Sequence, residues 1–295
     1  MKKLVRIFLS LFLCLFFVTS ASAHPGSGIV VDKEGNVYFT DTGQGVWKID
    51  TKGTLTYLPS SRFHWMAIDE MGKFAGAQGS FGNWFERVTE QNRAPVIVTC
   101  SDFPITIGKD GDLYYADTRP GSPRIMRRIA GGKESVLASG ELLGNISGIT
   151  AGPDGSLYVV NASLINENTI RKITMDGKVS IFANGFAGKQ VSNPPPETMG
   201  SYCRGLAVDP MDNVYVAATG SRSVLKITPA GKVSTILEAT APWSPTGVTV
   251  FRGEVYVLEY SDAAPSQTEV RKAWIPRVRK IGVDGKVTIL ATISR

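Results

Sequence analysis

Two histidines occur in the 295 residues, His24 and His64, and only His64 lies among the repeated segments described below. An imidazole can act as a general base or a metal ligand near neutral pH. It can equally be a neutral ring bonded to a water or a backbone carbonyl. Arg204 offers a planar fork that fits a carboxylate or phosphate. Its alternative role is a buried ion pair with Asp102 or Glu259. If the chain is catalytic, His64, Asp102, Arg204 and Glu259 are the candidates, provided the fold brings them together.

What would position them is a repeat. A small residue, an alternating apolar run, two turn residues, Gly and a closing aromatic recur along the chain. The clear copies are Gly28 to Tyr38 (GIVVDKEGNVY), Gly148 to Tyr158 (GITAGPDGSLY), Gly205 to Tyr215 (GLAVDPMDNVY) and Pro104 to Tyr114 (PITIGKDGDLY). Weaker copies run from Trp65 to Phe74 and from Gly247 to Tyr256. Each is followed by a basic–apolar pair: Lys48-Ile49, Arg87-Val88, Arg128-Ile129, Lys172-Ile173, Lys226-Ile227 and Lys280-Ile281. A turn then leads into a closing strand, as in Gly177 to Phe182, with Ala94 to Thr99 as its looser counterpart in the second copy. Four short strands per roughly 40 residues make a propeller blade. The pattern predicts an all-β, six-bladed β-propeller, four antiparallel strands per blade, over residues 24–295. No strand is expected to be exchanged between the ends of the ring.

These copies resemble NHL repeats, whose consensus runs close to GLAVDPDGNLYVADTG. More loosely, they are similar to the senescence marker/gluconolactonase superfamily of six-bladed propellers. The resemblance spans residues 27–293 and speaks to fold more than to activity. That superfamily places a Glu, two Asn and an Asp, a calcium set, at the heads of the first, third, fourth and fifth innermost strands. Here those positions read Ser27, Phe103, Ser147 and Arg204, so the resemblance carries over no calcium site. No metal and no cofactor is expected.

In such a ring the heads of the innermost strands surround a central channel: Ser27, His64, Phe103, Ser147, Arg204 and Thr246, with Asp102 and Asn145 just outside. The second strands end on the same face, at Asp41, Gln78, Asp117, Asn161, Ala218 and Glu259. Asp41, Asp117 and Asn161 read as turn caps. The long insertions, Ala77 to Asn83, Asp117 to Pro123, Asn184 to Tyr202 and Tyr260 to Pro276, return to that face too, which makes it the elaborated one. Trp65, Trp84, Trp243, Trp274, Phe81, Tyr202 and Tyr260 gather there, suited either to stacking on a ligand or to packing the loops down. The predicted ligand-binding set is His64, Trp65, Asp102, Asn145, Ser147, Tyr202, Arg204, Trp243, Thr246 and Glu259.

The first 23 residues read as a leader: Lys2, Lys3 and Arg6, an apolar run from Ile7 to Val18, then Ala21-Ser22-Ala23 as a cleavage site. The run is too short for a membrane anchor. The expected location is therefore periplasmic or secreted, and nucleic acid is not an expected partner. The leader carries three charges of the formal +6, so the mature chain is modestly basic. Cys100 and Cys203 remain in it, either as a disulfide or as two buried thiols. Loop cations on the elaborated face (Arg119, Arg124, Lys189, Arg222, Arg271, Lys272, Arg277) outnumber Glu197, Asp262 and Glu269 and favour an anionic or sugar-acid ligand. The leading expectation is a monomeric binding propeller for a small molecule, glycan or protein. The alternative is a lactonase-like hydrolase without the usual calcium set.

Overall fold

The computed structural model describes residues 25–77, 80–82, 84–89, 94–118, 123–161, 168–186, 202–261 and 274–294. Residues 1–24, which include the segment read above as a leader, lie outside them. Twenty-four strands among the described residues form six antiparallel sheets of four, as the repeat predicts. Blade 1 holds β1 (Ile29–Val31), β2 (Val37–Asp41), β3 (Gly45–Ile49) and β4 (Leu55–Leu58). Blade 2 holds β5 (Trp65–Asp69), β6 (Ser80–Phe81), β7 (Phe85–Arg87) and β8 (Val96–Cys100). Blade 3 holds β9 (Ile105–Ile107), β10 (Leu113–Asp117), β11 (Arg124–Arg128) and β12 (Glu134–Ser139). Blade 4 comprises β13 (Ile146–Ala151), β14 (Leu157–Asn161), β15 (Asn168–Ile173) and β16 (Val179–Phe186). Blade 5 comprises β17 (Leu206–Val208), β18 (Val214–Ala218), β19 (Ser223–Ile227) and β20 (Val233–Glu238). Blade 6 comprises β21 (Trp243–Phe251), β22 (Glu254–Ser261), β23 (Ile275–Ile281) and β24 (Val287–Thr292).

The recurring aromatic and base are one device. Tyr38 faces Lys48 directly across β2 and β3, and the same register pairs Tyr158 with Lys172, Tyr215 with Lys226 and Tyr256 with Lys280. The ammonium groups of Lys48, Lys172 and Lys226 lie 5.5, 5.2 and 5.3 Å from their ring centroids, in cation–π range. Lys172 and Lys280 also reach acids of the preceding turn, Asp154 at 2.7 Å and Glu254 at 2.8 Å. In blade 3 the residue opposite Tyr114 is Arg127, one place earlier than the expected Arg128, and it pairs with Asp112 at 2.6 Å.

One apolar cluster fills each gap between consecutive blades. The gap between blades 6 and 1 is closed by Ile29, Val37 and Phe39 against Leu258, Tyr260 and Ile293. The ring therefore closes by side-chain packing and hydrogen bonds between blades, and every sheet is built from one contiguous stretch of chain. Second strands are buried along their whole length, because sheet neighbours flank them and adjacent blades cover both faces.

Blade 2 departs from the expected order. The segment expected to close it is β8, and β8 lies second from the channel, between β5 and β7. The outer edge is β6, two residues long, inside a segment read from sequence as a loop. Burial explains the exchange. Val96-Ile97-Val98-Thr99-Cys100 is buried at all five positions, as second strands are elsewhere, whereas outermost strands such as β4 and β12 expose most of theirs. Lys73 to Ala77, which includes Gly76, turns instead: Ala75 N donates to Gly72 O and Ala77 N to Phe74 O. Arg128 of blade 3 adapts to the short edge. Its guanidinium lies 5.7 Å from the Phe81 ring and bonds Glu134 at 2.7 Å. Gly82, at φ +59°, sits where a Cβ would strike that guanidinium. Strand directions are unchanged, so the faces stay as assigned.

Candidate functional site

The channel is lined by all six innermost strands, among others by Ile29, Met66, Ile105, Ile149, Leu206 and Val248, and encloses about 170 Å³. Its mouth is tied together by hydrogen bonds between neighbouring blades. Ser27 N and Gly28 N donate to His64 O at 2.7 and 3.0 Å, and Gly205 N donates to Thr246 O at 3.1 Å. Ser147 Oγ donates to Cys203 O at 2.7 Å, and Thr246 Oγ1 to Gly26 O at 2.6 Å. Ser147 and Thr246 are thus buried and committed to the framework.

His64 Nδ1 lies 3.0 Å from the Ser101 carbonyl oxygen. In the neutral ring Nδ1 then carries the proton, and Nε2 is the basic nitrogen. The backbone-carbonyl role foreseen for this ring is therefore present, and it also fixes the tautomer that a general base needs. Asp102 and Asn145 are exposed at the rim. Phe103 is buried against Trp84 and Tyr115.

Arg204 makes neither of the ion pairs foreseen for it. Asp102 forms no salt bridge with it, and Glu259 is taken by two other arginines: Arg277 Nε donates to Oε2 at 2.6 Å and Arg279 Nη2 to Oε1 at 2.5 Å. Glu259 is fully buried and lies inside β22, because β21 and β22 run past the channel mouth and pair Pro245 with Glu259 and Trp243 with Ser261. The Arg204 guanidinium instead lies 5.8 Å from the Trp65 ring and 5.9 Å from the Tyr202 ring. Its Nε is buried without a hydrogen-bond partner. Trp65 belongs to blade 2 and Arg204 leads into blade 5, opposite in a ring of six, so this contact spans the mouth.

The other cations described on this face are engaged internally. Arg124 pairs with Asp117 at 2.6 Å, Arg277 stacks 4.0 Å from the Trp243 ring, and buried Arg222 donates to Trp243 O and Ser244 Oγ at 3.0 and 2.9 Å. The surplus of loop cations therefore does not stand as a free field at these three positions. Arg119, Lys189, Arg271, Lys272, Glu197, Asp262, Glu269 and Gln78 lie outside the described residues. Asp41 caps its turn, accepting from Gly43 N at 2.8 Å. The turns after Asp117 and Asn161 lie outside the described residues; Asp117 holds Arg124, and Asn161 donates to Leu143 O and accepts from Arg171.

The aromatics divide. Tyr260 and Trp274 are buried in the cluster between blades 6 and 1, and Phe81 and Trp84 pack against the cluster between blades 2 and 3. Trp65, Tyr202 and Trp243 stay half-buried, the first two near Arg204, and Trp65 also packs against the cluster between blades 2 and 3. Cys100 and Cys203 are both buried and form no disulfide. Burial pushes their thiols up, to about 11 and about 12.

Among the described residues no group of three or more His, Cys, Asp or Glu is placed to hold a metal. The four positions of the calcium set do not fit one either. Ser147 is spent on carbonyls, Phe103 is apolar, and Arg204 brings a positive charge. Sequence reasoning missed Arg279 as a partner of Glu259. The signal was present in Ile275–Ile281, where alternation puts Arg277 and Arg279 on one face of an otherwise buried strand.

A larger groove, about 790 Å³, lies at the other end of the ring between blades 1 and 2, beside Tyr38, Lys48, Leu58, Pro59, Val88 and Pro95. Asp32 within it is satisfied by Asn36 and the Tyr38 hydroxyl. It gathers none of the candidate catalytic or binding groups.

Solved structures share this architecture. A luciferin-regenerating enzyme is 15% identical, with a TM-score of 0.55 over 91% of this chain and 92% of that one. A streptogramin B lyase is 16% identical, with a TM-score of 0.50 over 92% of this chain and 84% of that one. At such identity the likeness is one of fold alone. No family model matches the chain, the NHL repeat included, and no curated protein matches it.

Proposed function

We propose that the chain is an exported NHL-type propeller, processed near Ala23, that holds a small molecule at its channel mouth. One observation carries this reading: the Trp65–Arg204–Tyr202 stack, built from opposite sides of the mouth and tied to no acidic partner. A recessed opening with two half-buried rings and one charge suits a small ligand better than an extended glycan or a protein surface. The mouth residues are His64, Trp65, Tyr202 and Arg204, with Asp102 and Asn145 on the rim. The test is a binding screen read by calorimetry on the wild type and on Trp65→Ala. Binding should fall at least tenfold in the variant; unchanged binding would remove the mouth from consideration.

The second reading is turnover of that ligand by a lactonase-like hydrolase. It is favoured by the His64 tautomer, in which Nδ1–H is held by Ser101 O and Nε2 is the basic nitrogen. The shared fold of a luciferin-regenerating enzyme and a streptogramin B lyase lends support by analogy. A screen of lactones and esters, repeated with His64→Gln, separates the readings. Hydrolysis lost in His64→Gln with binding retained supports an enzyme, and no hydrolysis by the wild type supports a binder.

A further inference from the structure

We propose that the channel mouth is specific for a single carboxylate, gripped by Arg204 and by the hydroxyl of Ser27. This rests on the mouth being the ligand site and names the class of ligand.

Two polar atoms at the heads of the innermost strands are buried and lack a partner among the described residues, Arg204 Nε and Ser27 Oγ. Ser27 is 7% exposed and lines the channel. A buried donor left unsatisfied costs about 1–3 kcal/mol, so two of them at one opening mark an acceptor that arrives with the ligand. Their neighbourhood is contiguous: Ser27 N donates to His64 O, His64 precedes Trp65, and the Trp65 ring carries the Arg204 guanidinium. Both free atoms are donors. A carboxylate accepts at two oxygens, and a guanidinium fork matches it in plane.

Arg124 pairs with Asp117, Arg277 and Arg279 share Glu259, and Arg222 donates to Trp243 O and Ser244 Oγ. Arg204 has no acidic partner and meets the Trp65 and Tyr202 rings instead. One cation suits a monoanion, whereas a phosphate monoester carries close to two charges.

Calorimetry with benzoate, octanoate and gluconate, each beside its methyl ester, and with phenyl phosphate, tests the proposal. At least one acid should bind tenfold or more tighter than its ester, and phenyl phosphate should bind no better than benzoate. Arg204→Ala should weaken that acid about 10–100-fold, the range for a hydrogen bond to a charged group. Arg204→Lys should fall between, and Ser27→Ala should weaken it severalfold. The melting temperatures of these variants should stay within a few degrees of wild type, since neither side-chain group holds a hydrogen-bond partner. Esters binding as well as their acids, a preference for phenyl phosphate, or acid binding indifferent to Arg204→Ala would each overturn the proposal. Binding that responds to Trp65→Ala but not to Arg204→Ala would overturn it while leaving the mouth as the ligand site. Binding indifferent to both would overturn the two together.

Discussion

Trp65 and Arg204 enter from opposite blades and meet across the channel mouth, with the guanidinium carbon 5.8 Å from the indole ring. Glu259 and Arg277, by contrast, form a buried ion pair at 2.6 Å, completed by Arg279. The two contacts therefore differ in what their loss should do. Arg204→Ala removes a half-buried cation–π contact and should cost under about 1 kcal/mol of stability. Glu259→Ala strands two cations in the interior and should cost about 3–5 kcal/mol. Urea denaturation of both variants checks this. Comparable losses would make Arg204 a structural residue.

The strand order of blade 2 can be tested by two isoleucines. Ile97 of β8 is fully buried, and Ile181 of the outer strand β16 is 62% exposed. Ile97→Ala should cost about 2–5 kcal/mol, the range for a core truncation. Ile181→Ala should stay within about 0.5 kcal/mol. If Val96–Cys100 were an outer strand, the two changes would be alike.

The Tyr260 hydroxyl donates to Thr40 O at 2.7 Å and accepts from Thr42 N at 3.3 Å, across the junction of blades 6 and 1. Tyr260→Phe leaves both backbone groups buried without that partner and should cost about 1–3 kcal/mol. Ligand affinity should not change, because this ring is fully buried in the cluster between blades 6 and 1.

Cys100 and Cys203 should be silent to a thiol reagent at pH 8 in the folded mature chain, and both should titrate in guanidinium. A disulfide would leave neither reactive in either condition. Their folded values, about 11 and about 12, stand above the ordinary 9.0. The protonated thiols therefore support the fold fully below pH 9. That support is lost as pH rises through 11, at about 1.4 kcal/mol per unit for each thiol. Melting temperature measured from pH 8 to 11 should fall over that window.

The blade count was legible because the same pair, an aromatic and a base facing each other across β2 and β3, is needed in most sheets and so recurs in the chain. The exchange in blade 2 was readable only from composition. A uniformly apolar Val96-Ile97-Val98-Thr99-Cys100 belongs inside a sheet, yet the landmark spacing placed it at the edge. At the mouth, sequence could rank Arg204 and Glu259 by position but could not say which acid meets which base. That depends on β21 and β22 outrunning the channel, which buries Glu259 and brings Arg277 and Arg279 to it. The roles of Ser147 and Thr246 were hidden for a related reason, since a hydroxyl at a rim can serve a ligand or the next blade, and only the packing of adjacent blades decides.

Each sheet is a contiguous stretch of chain, and the join between Ile293 and Ile29 is packing like the other five. Nothing marks that join as the place where the ring must begin. A circular permutant, with its old ends linked and new ends cut at Gly140 between blades 3 and 4, would keep all six sheets whole and all six interfaces in place. The propeller is in this sense a cycle of interchangeable starting points. The join between blades 6 and 1 is one of six such joins, and blade-by-blade duplication or loss is open to the ring without splitting a sheet.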